Sequence, residues 1–237
     1  MTHRQVIVTG GTSGIGHALV QAFLEAGDRV TATGVSTAEL EACDLRHERL
    51  RLQVLDVTDE AAVAAFAREF PALDVLVNCA GIAQPRPAEY EPAGFLRTVD
   101  VNLHGTMRVC YALHAALGAR GGCIVNIASM LSFFGSVNTP GYAASKGGVV
   151  QLTKSLACAW AAEGIRVNAV APGWIATPLN ASVRADAQRN GAIVGRTPMG
   201  RWGAPADVAG PVLFLASPAA AFVTGAVLAV DGGYSAA

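Results

Sequence analysis

An α/β fold, with one doubly wound parallel sheet of about seven strands covered by helices on both faces, is predicted by three observations on this 237-residue chain. Short β-branched runs alternate with longer segments of helical period along the whole length, the pattern of strand–helix–strand units. The run Val6-Ile-Val8 is continuous rather than alternating, as in a parallel strand buried on both faces. It breaks into Gly10, Gly14 and Gly16 and then a helix, the junction that presents backbone N–H groups to a phosphate.

The elements follow in order. Ile15, Ala18, Leu19, Ala22, Phe23 and Ala26 recur at i, i+3, i+4 and mark one face of a helix that Gly27 ends. Residues 29–33 read as a second strand, and Ser36-x-x-Glu39 has the form of a capping box opening a short helix. Residues 50–55 form a third strand closed by Asp56, and 75–78 a fourth ending in Cys79-Ala-Gly81. A long helix is expected over 94–117, a fifth strand over 123–127, another helix over 142–163 and a sixth strand over 166–171. Residues 178–203 are polar, irregular and poor in apolar period, and read as a mobile lid over a substrate. Pro205 then starts a further helix, and 226–230 form a last short strand. No linker, repeat or low-complexity stretch divides the chain, so residues 1–237 are read as one domain.

Composition excludes several classes of function. Hydrophobic residues are 52% and charged ones 15%, yet no run reaches the ~18–20 apolar residues of a membrane span. The apolar excess is therefore assigned to subunit interfaces. A net charge of −1 without a basic run argues against nucleic acid and membrane surfaces as partners. The first strand starts just after Met1-Thr-His-Arg-Gln5, leaving no room for a signal peptide and predicting a cytoplasmic protein. Five scattered cysteines without Cys-x-x-Cys spacing suit a reducing compartment, and neither they nor the five histidines predict a metal site.

Tyr142 and Lys146 stand four residues apart and share a helix face. Lowering a phenol from near pH 10 by ~2–3 units takes roughly 3–4 kcal/mol. One positive charge at 4 Å supplies about 4 kcal/mol at an effective dielectric of 20. Ser129 lies just past the fifth strand, at the carboxyl edge where such sheets bind ligands. Asn102 is a polar residue on an apolar helical background, and a buried amide demands partners.

With Thr9-Gly-Gly-Thr-Ser-Gly-Ile-Gly16, Asp56-Val57, Asn78-Cys-Ala-Gly81, Asn102, Ser129, Tyr142-x-x-x-Lys146 and Pro172-Gly173 followed by Thr177, the chain resembles the short-chain dehydrogenase/reductase family from Val6 to Gly233. Cys79 departs from the family's more usual Asn, at the loss of a side-chain hydrogen bond. The resemblance implies a Rossmann-like fold and NAD(P)-dependent hydride transfer between nicotinamide and a carbonyl or alcohol carbon. By it, Tyr142 is the acid/base, Lys146 lowers its pKa and binds the nicotinamide ribose, Ser129 holds the substrate oxygen, and Asn102 anchors a water on the proton path. It places Gly10, Thr12, Ser13, Gly14, Ile15 and Gly16 on the pyrophosphate side, Gly34 and Val35 at the adenosine ribose, and Asp56 and Val57 at the adenine. Asn78, Ala80 and Gly81 line the adenosine side, and Pro172, Gly173, Ile175 and Thr177 join Tyr142 and Lys146 around the nicotinamide.

The substrate candidates are Ser129, Leu131, Phe134, Asn138 and Trp174, a mostly apolar set that favours a hydrophobic secondary alcohol or ketone. Polar side chains in 178–203 keep sugars and polyols open as alternatives. A 3-oxoacyl-(acyl-carrier-protein) reductase would need two basic residues at the mouth; Arg120 matches one position, but Glu163 occupies the other. A non-enzymatic nucleotide sensor would have little use for Asn102, Ser129, Tyr142 and Lys146 together. Family members pair through the two long helices, which implies a homotetramer. NAD(H) is favoured over NADP(H): neither Thr33-Gly-Val-Ser36 nor Ser13 supplies a cation for a 2′-phosphate, although no acid stands there either.

Overall fold

The structure, a computed structural model, describes residues 3–236. Seven strands form one parallel sheet in the order β3-β2-β1-β4-β5-β6-β7. They are β1 (Gln5–Thr9), β2 (Arg29–Gly34), β3 (Leu50–Val54), β4 (Val75–Asn78), β5 (Cys123–Ile127), β6 (Arg166–Pro172) and β7 (Val227–Val230). After β1 the chain winds outward through β2 and β3, then crosses back to place β4 on the other side of β1. That reversal opens a crevice at the carboxyl ends of β1 and β4, where such folds bind ligands.

The two-residue period of a strand divides the core into two layers. Val6 and Val8 face α1 (Gly14–Glu25) and α10 (Pro205–Leu215), where Leu19, Phe23, Val208 and Val212 are fully buried. Ile7, Leu76 and Ile124 face the opposite layer, built on α3 (Glu60–Ala67), α5 (Gly105–Ala112), α6 (His114–Gly118) and α7 (Pro140–Trp160). The short α2 (Thr37–Ala42) buries none of its residues and lies beside β2 and β3.

Three expectations are corrected. The helix expected over 94–117 is interrupted: α4 (Pro92–Val99) runs into a five-residue π turn, Asp100–His104, before α5, and Leu113 separates α5 from α6. Asn102 sits in that π turn, which widens the helix enough to aim its amide inward. The helix expected over 142–163 starts at Pro140, its first-turn proline, and closes as a 3₁₀ turn at Ala161–Glu163. Residues 178–203 are irregular only in part: 197–203 hold no helix or strand, but the stretch before them folds as α8 (Ala181–Ala185) and α9 (Ala187–Arg196), with the Asp186 side chain accepting from the N–H groups of Gln188 and Arg189. Only Ile193 of α9 is buried, so apolar period could not reveal it; the Asp186 cap was the legible signal. No helix among the described residues is long and apolar enough to cross a membrane.

Candidate active site

The crevice is a cavity of about 350 Å³ lined from β1, α1, the end of β2, the end of β3, the end of β4 and α7. Its floor is the glycine turn. Gly10 (φ +64°) and Gly14 (φ +55°) adopt left-handed backbone that only glycine takes without strain. A Cβ at Gly10 would stand 2.8 Å from the Ala80 Cα, so the turn can close on β4 only as glycine. Ser13, at the N-cap of α1, makes no capping hydrogen bond with its side chain. The first-turn N–H groups of α1 are thus left without an intrahelical acceptor, at the positive end of the helix dipole. This cradle fits a dinucleotide pyrophosphate.

Thr12, Ile15, Gly16, Gly34, Val35, Asp56, Val57, Ala80, Gly81, Tyr142, Lys146 and Thr177 line the same cavity. Asp56 spends one carboxylate oxygen on the Thr58 N–H and hydroxyl, 2.9 and 2.7 Å away. Four other expected cofactor contacts lie elsewhere. Asn78 is 3% exposed and points into the core, where its Nδ2 donates to Asn126 Oδ1 at 2.9 Å and to Cys110 Sγ. Pro172 is bound into the sheet beside Val230, and Gly173 lies against Asp231, where a Cβ would approach to 2.7 Å. Ile175 is buried in the α1–α10 layer. Of residues 172–177 only Thr177 reaches the cavity wall.

The Asn78–Asn126 bond continues from Asn126 Nδ2 to Thr153 Oγ1 (2.9 Å), which donates to the Val149 carbonyl (2.8 Å). This buried chain ties β4 and β5 to α7 and so fixes the height of Tyr142 and Lys146 over the sheet. Tyr142 is half-buried at the cavity edge, with the Ser129 hydroxyl near its phenol. Ser129 itself is buried and caps a 3₁₀ turn, accepting from the Leu131 N–H at 3.1 Å. Lys146 is buried and donates from Nζ to the Ile127 carbonyl at 2.7 Å.

Burial, not the lysine, dominates the electrostatics. It pushes the Tyr142 phenol above its ordinary value, against the pull of the nearby Ser129 hydroxyl, while the Glu89 carboxylate pushes the same way as burial. Burial also lowers Lys146 to about 8. The expectation that Lys146 brings the phenol down is therefore not met by the protein alone: its Nζ sits 5.7 Å from the centre of the phenol ring and is bonded to Ile127. Cys79 lines the cavity as a neutral thiol, pushed up to about 11 by burial.

Asn102 is completely buried. Its Oδ1 accepts from Ile82 N–H (2.8 Å), and its Nδ2 donates to the Ile82 carbonyl (2.9 Å) and to Ser145 Oγ (3.1 Å). The amide is thus a clamp between the loop after β4 and α7.

The expected substrate wall is not gathered on one surface. Leu131 is half-buried, Asn138 is exposed, and Phe134 stacks on Tyr234 with the Arg196 guanidinium over both rings. Trp174 packs edge-on against Trp202 and opens onto a separate cavity near β7.

One carboxylate was missed. Glu39, exposed on α2, turns back so that its Oε2 accepts from Val35 N–H at 2.9 Å and lies 3.5 Å from Thr12 Oγ1. It lines the cavity at the end of β2, and Gly34 makes room for it: a Cβ there would stand 2.9 Å from Oε2. The capping box is half-formed, since Ser36 accepts from Glu39 N–H but the carboxylate passes Ser36 by for Val35. Among the described residues, one set of possible metal ligands converges: His17, Cys43 and Asp44. None of the three lines the cavity, and His17 Nε2 is bonded to Asp44 at 2.6 Å.

A family profile described as enoyl-(acyl carrier protein) reductase matches residues 10–235. Cis-4-hydroxycyclohexanecarboxylate dehydrogenase from Sinomonas cyclohexanicum is 44% identical, over 98% of this chain and 97% of that protein. A 2-dehydro-3-deoxy-D-gluconate 5-dehydrogenase from Pseudoalteromonas atlantica is 41% identical, over 96% and 94%. The crystal structure of a gluconate 5-dehydrogenase from Burkholderia cenocepacia, in complex with NADP and tartrate, superposes with a TM-score of 0.93 at 37% identity, covering 100% of this chain and 97% of that one.

Proposed function

The chain belongs to the short-chain dehydrogenase/reductase family, NAD(P)-dependent oxidoreductases of CH–OH groups, and from that premise we propose that it interconverts a small secondary alcohol bearing an acid group with its ketone, using NAD(H). The nicotinamide supplies the hydride acceptor or donor. Tyr142 gives or takes the hydroxyl proton, Ser129 hydrogen-bonds the substrate oxygen, and Lys146 places a buried positive charge beside the phenol. The observation that carries this reading is that Tyr142 and Lys146 line the cavity that the glycine cradle opens, with Ser129 beside the phenol.

The acid group is supported by charge. Residues 178–203 hold four arginines and one aspartate in a chain whose net charge is −1. Arg201 pairs with Asp207, while Arg184, Arg189 and Arg196 have no carboxylate partner among the described residues. The relatives named above include dehydrogenases of a hydroxycyclohexane carboxylate and of a sugar acid. We infer that 178–203 is a lid whose cations meet the substrate carboxylate, and that the active form is a homotetramer. Glu163 lies 2.9 Å from His114 Nε2, so an acid stands where an acyl carrier would need a second basic residue.

Glu39 supports NAD(H). Two like charges 4 Å apart repel by about 1 kcal/mol in water and about 4 at an effective dielectric of 20, enough to cost a 2′-phosphate roughly tenfold or more in affinity. A carboxylate at the end of β2 would instead accept from a 2′-hydroxyl. Fluorescence titration should give at least tenfold tighter NADH than NADPH, and Glu39→Gln should narrow the gap by raising NADPH affinity. Turnover on cyclohexanols with and without a ring carboxylate tests the substrate reading, with higher kcat/KM expected for the acids. A wild type preferring NADPH tenfold, or indifferent to the carboxylate, would overturn the corresponding part.

A further inference from the structure

Glu89 is a carboxylate that none of this chemistry uses, and it is 2% exposed. It sits on a 3₁₀ turn, Ala88–Tyr90, between the loop after β4 and α4. Oε1 accepts from the Gln84 N–H at 2.9 Å and from the Thr98 hydroxyl at 3.1 Å, and Oε2 accepts from the Tyr142 N–H at 2.9 Å. All three partners are donors, the complement of an ionised carboxylate. Such a group is kept in a core only where its hydrogen bonds are met, and removing one partner costs far more at this depth than at a surface.

The third partner is the informative one. Tyr142 is the third residue of α7, so its N–H has no acceptor within the helix. The residue before α7, Thr139, makes no capping bond; its hydroxyl donates to Ser136 instead. The cap of α7 is thus supplied from a distant segment, and it grips the backbone of the residue that carries the phenol. Gly141 permits the approach, since a Cβ there would lie 3.3 Å from Oε2. The negative charge also rests at the positive end of the helix dipole.

We propose that Glu89 is a positioning residue for Tyr142, a buried anchor that holds the first turn of α7 so that the phenol meets Ser129 and stands beside Lys146. The proposal rests on Tyr142 being the acid/base. An electrostatic consequence follows. The groups facing the phenol are Ser129 from the end of β5, Cys79 from the end of β4, Lys146 from α7 and Glu89 itself, and of the two fixed charges Glu89 is the anion that keeps the proton on. Removing that charge lowers the phenol's pKa; loosening the helix alone does not.

The experiment measures kcat, KM and the pH profile of kcat/KM for alcohol oxidation in the wild type, Glu89→Gln, Glu89→Asp and Tyr142→Phe. Glu89→Gln keeps the volume but turns an amide N–H toward one of three donors. We expect kcat to fall ten- to a hundredfold, NADH affinity to stay within twofold, and the limb assigned to Tyr142 to move to lower pH. Glu89→Asp keeps the charge but not the reach, so kcat should fall with that limb in place. An unmoved limb in a folded Glu89→Gln, or wild-type kcat, overturns the proposal. Exchange of the Tyr142 amide proton in the wild type gives a reading that no variant's folding can spoil. Protection like that of the α7 interior supports the anchor, and exchange at the rate of a free amide overturns it. Full activity in Tyr142→Phe would instead defeat the reading of Tyr142 as acid/base.

Discussion

Lys146 and Glu39 mark what single residues reveal to a reader of sequence. The Tyr142–Lys146 spacing announced a pair, but the sign of its electrostatics depends on burial, which spacing does not encode. Lys146 has a folded-state value of about 8 against an ordinary 10.5, so the native state holds fewer protons than the unfolded chain between those values. Stability therefore rises with pH across that window, and below pH 8 the full burial penalty is present. At about 1.36 kcal/mol per unit this penalty is on the order of 3 kcal/mol. Lys146→Met should abolish turnover yet unfold later in urea at pH 7, with the advantage shrinking as pH climbs from 8 toward 10. A variant less stable than wild type at every pH would contradict this. Glu39 was in plain view as part of a capping box, but its side chain spans back to Val35 over four residues, and only coordinates show which N–H it takes. Asn78 failed for the opposite reason: a motif residue at a strand end faces either layer, and this one faces Cys110 and Asn126.

Elements were legible where apolar period is strong and lost where it is weak. The central strands follow from their continuous apolar runs, because a parallel sheet covers them on both faces, while the edge strand β3 carries Arg51 and Gln53 and buries none of its residues. The segment 178–203 was lost because α8 buries nothing and α9 only Ile193. That same scarcity argues for motion. Leu179 and Met199 are 59% and 64% exposed, so few apolar contacts hold the segment down. Amide exchange over 178–203 should be fast in the free protein and slow at least tenfold with NADH and a ketone analogue bound, the α7 interior serving as the unchanged reference. Equal rates in both states would remove the lid.

At the scale of the molecule, sheet order follows from strand–helix alternation together with the crossover at β1, and the crevice follows from the sheet order. Assembly does not follow in the same way, since surfaces that meet a partner look like ordinary exposed apolar residues until paired. Tyr111 lies edge-on to Trp160, which stacks on His114, in a group spanning α5, α6 and α7; Phe222, before β7, is fully exposed. We propose that the aromatic group and Phe222 serve two different contacts, as four copies would need. Light scattering at micromolar concentration should return four times the 24.3 kDa chain mass, and a single-chain mass would refute the tetramer.

The π turn at Asp100–His104 carries a consequence for how the chain can change length. It is an α-helix holding one surplus residue, its Gly105 N–H reaching back five positions to the Asp100 carbonyl. Deleting one residue there would restore regular α winding and remove the wider turn that aims Asn102 inward. On one side of that seam Asn102 grips Ile82 and Ser145; on the other Gly105 is pressed so close to Val57 that a Cβ would come within 2.5 Å. Without the wider turn the Asn102 amide no longer stands where Ile82 and Ser145 meet it. Single-residue gaps, cheap in the surface turns on either side, are closed to this stretch, so among functional descendants of this chain its length should drift in the loops while these five positions keep their number.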